Sequence, residues 1–233
     1  MKFRSQIVTA ASGSIGGQTF ARNRFGMYLR ARSVPVNPST PLQVTTRSNL
    51  NNMVNRWSTV LTDDQRLGWK AYAGAVPVLD KLGQTQYLTG QQWYLKCNLC
   101  RLAAGLSLKD TAPLETAMAA GTEITAALNP AQNSVAVSFV TAAGSDDWAR
   151  EVGGALLVQV GSPCTQAVNF YNGPWQVLGA VLGAATPPTS PATFALPFDI
   201  GPTNRVFLRY RFIRADGRIS PPFRLGADPA TGP

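Results

Sequence analysis

Cys97 and Cys100, in the run "CNLC", stand three positions apart. That spacing serves half a zinc site or a redox dithiol. The other half is missing, because Cys164 is isolated and the 233-residue chain has no histidine. Without histidine there is no Ser-His or Cys-His pair, and the commonest general base and metal ligand are both gone. A redox pair needs a helix N-terminus to lower its thiol pKa, and this run falls inside a predicted third helix. We expect both thiols to be small core residues beside Trp93, since free cysteine is among the most buried residue types. "GSIGG" (13–17) lacks the Gly-Lys-Ser/Thr ending of a phosphate loop and follows no hydrophobic strand, so it reads as a sharp turn or close backbone approach. Asp146 and Asp147 are sequence neighbours without further acids, which fits a solvated loop better than a calcium site. These residues point away from an enzyme, a cofactor and a metal.

Charge is the stronger signal. Residues 1–113 hold 14 Lys/Arg and 4 Asp/Glu, net +10; residues 114–233 hold 7 and 8, net −1. Six cations precede residue 33, and the first acid is Asp63. Residues 18–33 read as a β-hairpin. With Arg24-Phe25-Gly26 as a three-residue loop and Gly26 in the left-handed position, Asn23 pairs with Met27 and Arg22 with Tyr28. Phe20, Arg22, Tyr28, Arg30 and Arg32 then share one side, opposite Ala21, Met27, Leu29 and Ala31. A two-residue turn would instead separate Arg22 from Arg30. The expected contact set is Arg22, Arg24, Tyr28, Arg30 and Arg32. Arginine and aromatics suit a nucleic-acid ribbon, and they are also what protein interfaces enrich. We favour a protein partner, because all the cations before Asp63 except Lys2 are arginine, which forks onto carboxylates, and later cations are thinly spaced.

Three helices should follow the hairpin. Thr40-Pro41 with Gln43 is a helix start, and Leu50, Met53, Val54, Trp57 and Leu61 give its apolar face. Thr62 to Gln65 and Thr89 to Gln92 repeat the capping signature, and Trp57, Trp69 and Trp93 are candidates for a shared core. "GLSLKDTAPLETAMAAG" reads as a linker by composition. Beyond it the hydrophobic period falls to two, as in Val135, Val137 and Phe139, and in Val206, Leu208, Tyr210 and Phe212, with Arg205, Arg209 and Arg211 pointing the other way. Further strands are expected at 122–128, 155–160, 165–171, 175–182 and 193–199, with an Asp-Gly hairpin turn at 214–218. The fold class expected is α+β in two domains: a β-hairpin with a three-helix unit, then an antiparallel β-sandwich of fibronectin III or immunoglobulin-like kind. The divisions are a basic arm and hairpin (1–38), a helical anchor (39–113), a linker (114–121), the sandwich (122–228) and a tail (229–233). No run approaches the roughly 20 apolar residues of a membrane span, and the opening residues lack the apolar core of a secretory signal. We therefore expect folding in a cytosol and no membrane partner.

The order of these short motifs resembles a group of poorly characterised structural proteins from tailed bacteriophages and prophages. Asn37 to Thr40, Thr62 to Trp69, and Gly90, Tyr94, Asn98, Ala104, Gly105, Ala112 and Pro113 carry the likeness. The resemblance implies a non-enzymatic virion protein, assembled in the host cytoplasm among other virion proteins and as a homo-oligomer, serving as capsid decoration, connector or tail component. Two alternatives remain: a nucleic-acid-binding protein using the Arg-rich hairpin, and a surface adhesin whose sandwich takes carbohydrate near Trp148, Tyr171 and Trp175.

Overall fold

The computed structural model describes residues 11–33, 36–80, 82–118, 124–141 and 148–229. The chain is α+β, with three helices and antiparallel sheets. It separates into two compact units, residues 1–48 with 78–86, and residues 49–77 with 87–233.

The first unit holds β1 (Gly13–Ile15), β2 (Gln18–Asn23) and β3 (Gly26–Ala31), paired in that order. The expected sharp turn is present. Gly16 and Gly17 both have positive φ, +54° and +79°, and together turn β1 into β2. This is the backbone that a two-residue hairpin loop with right-handed strand twist requires, and glycine adopts it without steric cost. α1 (Pro41–Thr59) starts in this unit with proline at its first position, where a missing N–H costs nothing. The second unit includes the rest of α1, then α2 (Asp63–Ala75). A small hairpin in the first unit, β4 (Val78–Leu79) and β5 (Thr85–Gln86), closes around Asp80, whose carboxylate accepts from the amides of Leu82 and Gln84 and the side chain of Gln86.

α3 (Gly90–Ala103) resumes the second unit. Of the three anticipated capping boxes the second and third form, Thr62 with Gln65 on α2 and Thr89 with Gln92 on α3, each satisfying two backbone donors. Gly90 permits the helices to meet, for a Cβ there would lie 2.8 Å from the Lys70 nitrogen and 2.9 Å from the Trp69 carbonyl carbon. Rings run through this core in a connected chain, Trp57 to Tyr94 (5.4 Å), Tyr94 to Trp69 (5.6 Å), Trp69 to Tyr72 (5.9 Å) and Tyr72 to Trp93 (5.4 Å). The three predicted tryptophans therefore do share a core, with two tyrosines inserted between them.

Residues 105–113, compositionally a linker, are tied down. Asn98 donates to the Lys109 carbonyl and accepts from its amide, and Arg101 donates to the Ser107 carbonyl. Asp110 takes a two-pronged pair from Arg56 (2.9 and 2.6 Å) and the Tyr94 hydroxyl at 3.3 Å, while its carbonyl accepts from the Trp69 indole. One short polar segment thus ties all three helices.

The remaining strands are β6 (Thr125–Asn129), β7 (Ser134–Ser138), β8 (Ala155–Gly161), β9 (Cys164–Thr165), β10 (Trp175–Leu182), β11 (Ala192–Ala195), β12 (Asn204–Ile213) and β13 (Phe223–Ala227). They form one sheet in the order β10-β8-β12-β13, with β9 also on β12, and another in the order β11-β7-β6. Residues of both sheets enclose one apolar core, including Val135, Val137, Leu156, Val158, Val206, Leu208 and Phe212. The alternation read along 206–212 holds. Two expected strands are shorter. Of 165–171 only Thr165 pairs, because 166–174 is a loop closed by Tyr171, whose hydroxyl donates to the Pro174 carbonyl and accepts from the Ser162 amide. The run 193–199 ends at Ala195, where the next amide, Leu196, donates to Asn133. The 214–218 turn forms, with Gly217 at φ +105° and Arg214 bonded to Arg218. No helix among the described residues is long and apolar enough to cross a membrane.

Candidate interaction site on the N-terminal sheet

The hairpin register differs from the one expected. Asn23 pairs with Gly26, Arg22 with Met27, Ala21 with Tyr28, Phe20 with Leu29 and Thr19 with Arg30. The loop is therefore two residues, Arg24 and Phe25. Gly26 does take positive φ, +112°, but as the first residue of β3. The Asn23 side chain decides this, accepting from the Phe25 amide at 2.9 Å and closing the turn one residue early. Because strand side chains alternate, a one-residue change redistributes every face. Arg22 lies with Phe20, Met27 and Leu29. Tyr28 and Arg30 lie on the other side with Thr19 and Ala21. The five predicted contact residues do not form one face.

The sheet instead carries charge on both sides and at its tip. Arg24 sits 5.2 Å over the Phe25 ring, and Arg32 follows β3 with its amide on the Gly17 carbonyl (2.7 Å). Arg22, Arg24, Arg30 and Arg32 are all exposed. Ser14 and Thr19 hydroxyls meet at 2.8 Å on the Tyr28 side. None of the described residues from 11 to 48 is buried, and that stretch holds no acid. What it can do chemically is offer several guanidinium forks to carboxylates or phosphates.

The other flagged residues resolve as follows. Cys97 is buried inside α3, and burial, helped by Cys100, pushes its thiol up to about 12, so it stays protonated and inert. Cys100 is also raised, mainly by burial. All three cysteines are free thiols. Among the described residues no group of three or more His, Cys, Asp or Glu is placed to hold a metal. Asp146 and Asp147 lie outside the described residues. Trp148 is in the core, 4% exposed and against Phe139 and Phe212, which removes it from the carbohydrate candidates. Tyr171 and Trp175 do face outward, edge to face at 5.1 Å.

Sequence reading missed Asp110, Asn98 and Arg101 as the groups that fasten the segment after α3. Arg101 is 1% exposed and donates to three carbonyls, of Ser107 (2.8 Å), Gly153 (3.3 Å) and Arg214 (2.9 Å). Burial lowers its pKa from the ordinary value. The only signal was an arginine at the helical spacing of the buried face formed by Trp93, Tyr94, Cys97 and Asn98.

Compared with family models, with curated proteins and with solved structures, the chain matches none.

Proposed function

We propose that the chain is a non-enzymatic structural protein of a bacteriophage particle, docked through its basic N-terminal sheet and helices and exposing a C-terminal fibronectin III-like β-sandwich. In this reading residues 1–38 are the arm, 39–113 the anchor and 122–228 the exposed module. One observation carries the docking role. A three-stranded sheet without a buried residue, bearing Arg22, Arg24, Arg30 and Arg32 and no acid, has the makings of an arm that finds its order and its counter-charge on a neighbour. The partner expected is an acidic surface on another virion protein.

Quantitative mass spectrometry of particles purified from the culture that makes the chain tests the role. Hundreds of copies per particle would identify a decoration or repeating tail component, and about a dozen a connector or tail-end part. Absence from particles would overturn the reading. Replacing Arg22, Arg24, Arg30 and Arg32 together by Glu should abolish incorporation, and normal incorporation would sink the arm. A DNA titration at two salt concentrations guards the nucleic-acid alternative: tight binding that collapses with salt, as several neutralised phosphates require, would displace the protein partner.

A further inference from the structure

The outer face of the β10-β8-β12-β13 sheet carries a second, independent set of cations. Strand pairing places Val177, Gln159, Arg209 and Arg224 in one row across the four strands. Alternation puts this row on the side away from the core, since Val158, Val160 and Leu208 point inward. Directly opposed residues stand about 5 Å apart, and Arg211, two positions along β12 on the same side, adds a third guanidinium that donates to the Ser220 carbonyl at 3.3 Å. Lys96 of α3 faces Arg211 and lies 4.0 Å over the Trp93 ring. None of these four cations has an ion-pair partner among the described residues. Burial first, and then Arg211 and Arg224, lower the Arg209 pKa, as uncompensated like charges must.

The surroundings hold these groups in place. The Arg209 guanidinium lies 5.0 Å over the Trp175 ring and donates to Gln159 Oε1 at 2.7 Å. Arg224 lies 4.7 Å over Phe170 and donates to Asn172 Oδ1 at 3.3 Å. The next row is an aromatic floor. Tyr171 stacks on Phe207 and occupies the space over Gly161, where a Cβ would come within 2.3 Å of its ring. The amide oxygens of Gln159 and Asn172 accept from the arginines, and their NH2 groups are further donors in the row. Three guanidiniums and two amides give the row more donors than acceptors.

We propose that this row binds an anionic polysaccharide, with Arg209, Arg211 and Arg224 taking its acidic groups and the Gln159 and Asn172 amides its ring or hydroxyl oxygens. A neutral sugar would leave the Arg209, Arg211 and Arg224 charges without a counter-charge. Nucleobases would need a run of open rings to stack on, but Trp175 and Phe170 each carry a guanidinium over one face and Tyr171 is stacked on Phe207. A protein partner would need an apolar centre with a polar rim. Here the centre is Gln159 and Arg209, and the exposed apolar groups, Val177 and Phe170 (67% exposed), stand at the ends. All of these residues belong to the second unit, so the inference does not depend on the particle reading.

The test uses the full chain with polygalacturonate, neutral dextran and oligo-dT as probes, at low and high salt. Polygalacturonate should bind in a salt-sensitive manner and raise Tm, and dextran should not bind. Arg209→Gln with Arg224→Gln should weaken polygalacturonate binding by roughly tenfold or more, the factor one charge-assisted hydrogen bond is worth. The same loss should appear in a chain that also carries Gln at Arg22, Arg24, Arg30 and Arg32, which removes the exposed guanidiniums of the N-terminal sheet. If the double variant melts early, Arg224→Gln alone, at an exposed position, reads the same effect. Equal affinity of wild type and row variants, no polygalacturonate binding at low salt, or tighter binding of oligo-dT through the same residues would each overturn the proposal.

Discussion

Arginine has opposite fates in the two compact units. In the N-terminal sheet Arg22, Arg24, Arg30 and Arg32 are exposed around a thin layer with no buried residue. In the second unit Arg101, Arg214 and Arg218 are buried and join segments distant in sequence. Arg214 pairs with Glu151, and Arg218 with Asp216, Glu115 and the Ala117 carbonyl. Arg101 hydrogen-bonds to carbonyls alone, with the Asp216 charge nearby. A rigid, many-donor fork is useful in both settings, but only enclosure makes it expensive to remove. Net charge counts these two populations alike, although Arg101, inside the basic stretch 1–113, is not offered to a partner.

The comparison is broken most severely at Arg101. Arg101→Ala leaves three enclosed carbonyls without their donor and should lower stability by about 3 kcal/mol or more, seen as a fall in the denaturant midpoint. Gly90→Ala, which forces a methyl onto the α2 backbone, should cost about 1–3 kcal/mol by the same measurement. Asp110→Asn removes the charge opposite Arg56 and should cost about 1–2 kcal/mol near neutral pH. It also carries a sign in pH. The hydrogen bond from Arg56 is the main cause that holds the Asp110 pKa below its ordinary value, against burial. Its stabilisation is therefore complete above the unfolded value of about 3.9 and is lost as pH falls through the lower folded value. Acid titration of stability should be shallower in Asp110→Asn than in the wild type. The smallest effect sharpens the contrast: Arg22, Arg24, Arg30 and Arg32 all changed to Gln should shift stability by only about 0.5 kcal/mol. A large loss there would mean that the sheet uses its arginines structurally, as the second unit does.

The helices were the most legible part. Thr62 to Gln65 and Thr89 to Gln92 mark helix starts through bonds that span only three residues, so local sequence suffices to place them. Inward positions of β12 were legible for a related reason, since the period of two survives whatever the strand pairs with. The contact face was not. Its composition was plain, but a single side-chain bond from Asn23 moved the register and sent Arg22 to the other side from Tyr28 and Arg30. The row on the outer sheet was only half visible. Arg209 and Arg211 were seen to point away from the core, but Arg224, Gln159 and Val177 join them only through pairing between residues up to 50 apart.

What the amino-acid sequence determined by itself were properties carried by residue type and short spacing: the absence of histidine chemistry, the uneven charge, the helix starts and the Gly16-Gly17 turn. Tertiary structure decided which arginines are enclosed, which segment after α3 is fastened by Asp110 and Asn98, and which side chains share a face. Those outcomes depend on hydrogen bonds and burial between residues far apart in the chain, where a shift of one position reverses a strand's two sides.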